Sequence, residues 1–165
     1  MPQEEYRSWA SSLAAQPGRQ VRILAWAATR GGFAVASPSA LSFGHEGDWT
    51  HLGWHEIERG GWDEQTGTLT WSRYGGTTGE LTLTEPGRLP EVFRERVAAS
   101  IVLEKFVPIL NGRGVLISGR RDLADGDPQI TWNSTLQRGL TWQTEGVQAA
   151  TAEAIDQVRT EYDMG

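Results

Sequence analysis

His45, His51 and His55 fall within eleven residues, among the carboxylates Glu46, Asp48, Glu56 and Glu58. Imidazole and carboxylate together can ligate zinc. The string Trp54-His55-Glu56-Ile57-Glu58 alternates as a strand does. On a strand running from 51 to 58, His51 and His55 share a face about 13 Å apart at ~3.3 Å per residue, too far to hold one ion. The His55-Glu56 pair also lacks a second histidine four residues on, so the helical zinc-protease pattern is absent. The same strand puts Glu56 and Glu58 on one face. Paired carboxylates can serve glycoside hydrolysis, but the wet edge of a sheet accounts for them equally well.

Other signals for covalent chemistry are incomplete. Gly114 and Gly119 have the four-residue gap of a phosphate loop, but Arg120-Arg121 stands where Lys-Ser/Thr belongs. Ser37 and Ser39 flank Pro38 and Ser100 lies in a helical pattern, none of them in a nucleophile elbow. The chain has no cysteine, which removes disulfides, thiol nucleophiles and thiolate metal sites. No catalytic residue, metal ligand or cofactor is assigned. The candidates for partner binding are Arg113, Arg120 and Arg121, which bracket a single strand and can grip a phosphate or carboxylate through paired N–H groups. Arg120 and Arg121 point to opposite faces, so only one can join Arg113 in a patch. The competing assignment is a set of surface arginines paired with Asp122, Asp125 or Asp127.

The elements that must carry these residues are mostly strands. Residues 4–15 form a short helix with Tyr6, Trp9, Ala10 and Leu13 on one face, ended by Pro17-Gly18. Strands follow at 21–28, 33–36 and 40–43, with 44–48 as a turn, a Trp-rich segment over 49–62 and a hairpin turn over 63–67. Leu69 and Trp71 alternate in the next strand, and Leu81 and Leu83 in the one after. Pro90 suits a first helical turn, and Leu89, Phe93, Val97 and Ile101 recur every four residues, predicting a helix over 89–105. Strands over 115–119, 130–136 and 140–142 precede a C-terminal helix over 145–162, striped by Val147, Thr151, Ala154, Ile155, Val158 and Tyr162. Residues 124–128 read as a polar turn.

This order predicts an α+β fold with a mainly antiparallel, strongly bent sheet or split barrel, an inserted helix and a C-terminal helix. The 165 residues show no composition break, so one domain is expected, with a docked N-terminal helix over 4–15, a body over 20–142 and a helix over 145–162. The eight tryptophans are expected chiefly in the core, with Trp54 and Trp71 foremost. The net charge of −6 speaks against general nucleic-acid binding. Gln3, Glu4 and Glu5 stand where a secretory signal is basic, and no long apolar run follows, so neither a signal peptide nor a membrane span is expected and a cytoplasmic location is.

Several strings carry a family likeness: Arg22-Ile23-Leu24-Ala25-Trp26-Ala27, Phe33-Ala34-Val35-Ala36-Ser37, Trp54-His55-Glu56-Ile57-Glu58, Gly61-Trp62-Asp63, Leu69-Thr70-Trp71, the run from Arg94 to Val102, and Gly119-Arg120-Arg121. Across most of its length the chain resembles a family of short, uncharacterised actinobacterial proteins with a pleckstrin-homology-like domain. The resemblance implies a split barrel and no catalytic residues. Lipid-binding domains of that type use a basic loop between the first two strands. Here that loop offers Arg30 and two glycines, so headgroup binding is not expected. The leading functional class is thus a noncatalytic binding or scaffolding domain for a protein partner or a second copy. The alternatives are a small-ligand sensor or carrier with an aromatic-lined pocket and, third, an enzyme using Glu56, Glu58 or a histidine.

Overall fold

A computed structural model describes residues 1–124 and 129–165. Asp125, Asp127 and most of the expected 124–128 turn lie outside the described residues. The chain forms two compact units, Met1–Ser100 with Asp122–Gln129, and Ile101–Arg121 with Ile130–Gly165.

In the first unit, α1 (Gln3–Ala14) precedes β1 (Ala25–Thr29), β2 (Gly32–Ala36), β3 (Ala40–His45) and β4 (Asp48–Gly53). A 3-10 turn at Trp54–Glu56 leads to β5 (Ile57–Asp63), β6 (Thr68–Arg73), β7 (Thr78–Glu85) and α2 (Leu89–Ala99). The seven strands make one curled antiparallel half-barrel in the order β4-β3-β2-β1-β7-β6-β5. Its two edge strands, β4 and β5, are therefore consecutive in the chain and joined only by the 3-10 turn.

Strand alternation explains the two faces. Ala27, Ala34, Ala36, Leu41, Leu52, Leu69, Trp71 and Leu83 point inward and pack with Leu89, Val92 and Phe93 of α2. On the other face Val35 and Ala40 bury Trp9 and Leu13 of α1. The helix is too short to persist alone and is held by this docking. Trp49 Nε1 also donates to Ser8 Oγ at 3.0 Å.

The second unit is an antiparallel sheet of β8 (Ile101–Leu110), β9 (Arg113–Arg121) and β10 (Ile130–Leu136), with α3 (Val147–Met164) on one face. Val115 and Ile117 pack there against Ala154 and Val158.

The α+β class, the antiparallel bent sheet, the inserted helix and the C-terminal helix are as expected. Four boundaries are corrected. The inserted helix ends at Ala99, because Leu103, Lys105, Val107 and Ile109 alternate after the β-branched Ile101-Val102, and 101–110 is strand. Residues 54–56 wind as a 3-10 turn, since the chain must cross there from one sheet edge to the other. The first strand begins at Ala25 rather than Val21, and no strand forms over 140–142. Among the described residues, no helix is long and apolar enough to cross a membrane.

Candidate functional site

The half-barrel's interior is filled unevenly. Trp54, fully buried, meets the Phe93 ring edge-on at 5.7 Å, so α2 plugs one part of the concave face. Two glycines make room for inner aromatics. A Cβ on Gly60 would overlap the Phe93 ring, and one on Gly79 would overlap the Trp71 indole. Only a residue without a side chain can stand at either position without displacing the ring.

Trp71 lies against Phe43 with ring centroids 5.4 Å apart. Beside this pair the interior remains open as a cavity of about 320 Å³, lined also by Thr50, Leu52, Arg73 and Thr78. Glu56 contributes to its wall. Both Glu56 oxygens are engaged: Arg73 Nη2 donates to Oε1 at 3.0 Å and the Gly53 backbone N–H donates to Oε2 at 2.7 Å. The arrangement can bind and orient a small molecule between an aromatic floor and a fixed polar wall. Another cavity, about 630 Å³ beside Trp62, Leu83, Pro86 and Pro90, has exposed polar neighbours, and its Glu91 pairs only loosely with Arg88 at 3.6 Å.

The residues singled out in the sequence are dispersed. His51 lies on the outer face of β4, where Ser42 Oγ is 2.6 Å from Nδ1 and Ser12 Oγ of α1 is 2.7 Å from Nε2. Burial, and secondarily the charge of Arg19, hold its pKa below the usual 6.5. His55 faces Asp122, with Nδ1 3.7 Å from Oδ1, and that carboxylate accepts from Arg19 Nη1 at 2.8 Å. His45 is largely exposed at the end of β3. The 3-10 turn removes the common strand face expected for Glu56 and Glu58. Among the described residues, no three histidine or acidic side chains are placed to share an ion.

The three arginines do not form one patch. Arg120 is 1% exposed, whereas Arg113 and Arg121 are exposed at opposite ends of β9. Eight residue steps along the strand separate those two ends by about 26 Å. Sequence reasoning missed Arg73 and Phe43, although alternation from Trp71 places Arg73 on the same face. It also passed over Ser12 and Ser42, whose meeting at His51 depends on how α1 docks.

Comparison with protein-family models, curated proteins and solved structures finds no match.

Proposed function

We propose that the half-barrel unit is a noncatalytic small-ligand sensor or carrier. The observation that carries this is the 320 Å³ cavity with Phe43 and Trp71 as its floor and the Glu56–Arg73 pair in its wall. That volume is at the lower end of ligand cavities, which run to ~1,000 Å³. Aromatic surface supplies affinity there, and a few fixed polar groups supply orientation. A fragment screen on protein carrying ¹⁵N-labelled tryptophan tests it. Fragments should shift the Trp71 indole resonance and cease to do so in Thr50→Trp, which fills the cavity from an exposed strand position. A screen in which nothing moves that resonance overturns the proposal.

Protein-partner recognition has its own support in the three-stranded unit. Phe106 is 48% exposed and Leu110 37% exposed, and with exposed Pro108 they form an apolar row on the edge strand β8. Arg113 pairs with Leu110 in the β8–β9 register and borders this row. The partner proposed is a second copy of the chain. Light scattering should find a concentration-dependent dimer that Phe106→Ser weakens, and a monomer at all concentrations counts against it.

A further inference from the structure

We infer that the Trp71 cavity selects an uncharged, planar ligand bearing a carbonyl, of nucleobase or aromatic-amide type. This rests on the small-ligand proposal above. The aromatic floor favours a flat ring, because Phe43 and Trp71 present tilted π-surfaces 5.4 Å apart by centroid. The polar wall has donors to spare. Arg73 uses Nη2 toward Glu56, which leaves the N–H groups of Nη1 and Nε for a guest. The hydroxyls of Thr50 and Thr78 line the same space, and neither makes an intramolecular bond among the described residues. On the acceptor side both Glu56 oxygens already hold a bond, and Glu80 is the remaining carboxylate.

Charge then disfavours the ionic alternatives. Glu56 and Glu80 line the cavity against one fixed cation, Arg73, in a chain of net charge −6. A carboxylate guest would meet two like charges. A cationic guest would be repelled by the Arg73 guanidinium, and with Glu56 committed to that guanidinium only Glu80 is left to attract it. A carbonyl oxygen fits the free guanidinium edge without adding charge.

The test is titration of the ¹⁵N-tryptophan-labelled protein with four probes: nicotinamide, uracil, benzoate and benzylamine. Nicotinamide or uracil should shift the Trp71 indole, with benzoate and benzylamine at least ~10-fold weaker. Arg73→Gln should weaken the neutral ligand ~10-fold, and Thr50→Val less, with the latter serving if the former fails to fold. Benzoate or benzylamine binding as tightly as the amides overturns the inference while leaving the cavity a binding site. No Trp71 shift with any of the four up to about 10 mM overturns the inference, and a silent fragment screen as well overturns the cavity's function.

Discussion

Ser42 and His51 stand directly opposite each other across β3 and β4, and their Oγ and Nδ1 atoms meet at 2.6 Å. Ser12 closes the other side of the ring from α1, at 2.7 Å. A neutral imidazole has one donor and one acceptor nitrogen, and hydroxyls can serve either, so the chain Ser12–His51–Ser42 is satisfied in both tautomers. One side chain thereby ties the N-terminal helix to the sheet.

That tie is pH-sensitive in a definite direction. The folded pKa of His51 is below 6.5, through burial first and the charge of Arg19 second. The folded state therefore binds the proton less readily than the unfolded chain. Its contribution to stability is complete above pH 6.5 and is lost as pH falls from there through the folded pKa. Urea midpoints between about pH 5 and 8 should fall on the acid side, and less steeply in His51→Gln. Identical pH dependence in the two proteins rules out His51 as the titrating group.

Gly60 and Phe93 give a packing prediction with an internal control. Gly60→Ala forces its Cβ into the Phe93 ring and should destabilise by ~1–3 kcal/mol. Phe93→Leu alone loses aromatic contact with Trp54. The double variant should be more stable than the two losses added, since the smaller side chain relieves the overlap. Strict additivity in urea unfolding would falsify the close approach.

Periodicity made the helices and the faces legible because burial acts locally. Leu89 and Phe93 had to share a helix face, and Leu69 and Trp71 a strand face, whatever lay opposite. Trp54 and Trp71 are buried as expected, but the core takes only Trp9 besides them: Trp26 and Trp142 are 40% and 39% exposed, and Trp49, Trp62 and Trp132 are half-buried, so the tryptophans are not chiefly core. The break at Ser100 was hidden because the four-residue recurrence through Ile101 overlaps the two-residue alternation that begins there. Only the alternation continuing to Ile109 separates them. The division into two compact units was equally hidden, since similar apolar and polar residues build both.

The candidate site was less legible for a different reason. Glu56 drew notice beside Glu58, yet its partners are Arg73 and the Gly53 N–H, fixed by a turn that strand alternation does not foresee. Arg113, Arg120 and Arg121 looked like a cluster because they are close in sequence. A strand spreads such residues along its length and divides them between faces, so Arg120 is buried while the others are not.

Trp54 separates packing from hydrogen bonding. Its indole is fully buried against Phe93 and Nε1 donates to the Ser37 carbonyl at 2.9 Å. Trp54→Ala should cost ~3–5 kcal/mol, chiefly as a cavity. Trp54→Phe keeps most of the ring contact but strands a buried carbonyl, and should cost ~1–3 kcal/mol. Equal losses for the two substitutions in thermal or urea unfolding would mean that packing contributes nothing beyond the hydrogen bond.

The next two carbonyls of the same β2–β3 turn are also taken by side chains. Arg96 Nη2 donates to Pro38 O at 2.9 Å and Arg19 Nη1 to Ser39 O at 2.9 Å. Arg19 Nη1 is bound as well by Asp122 at 2.8 Å, and the two side chains are 12% and 22% exposed. Truncating one member of such a partly buried pair leaves the other desolvated without compensation. Asp122→Ala should therefore cost ~1–3 kcal/mol, and Arg19→Met more than Arg96→Met, because only Arg19 takes a charged partner from a carboxylate as well as a donor from a carbonyl, leaving Asp122 with the Ala124 N–H. In Arg19→Met, Asp122→Ala should cost much less than in the wild type, a coupling that unfolding of the four proteins measures directly. If the loss is unchanged by the Arg19 background, the pair does not hold the turn.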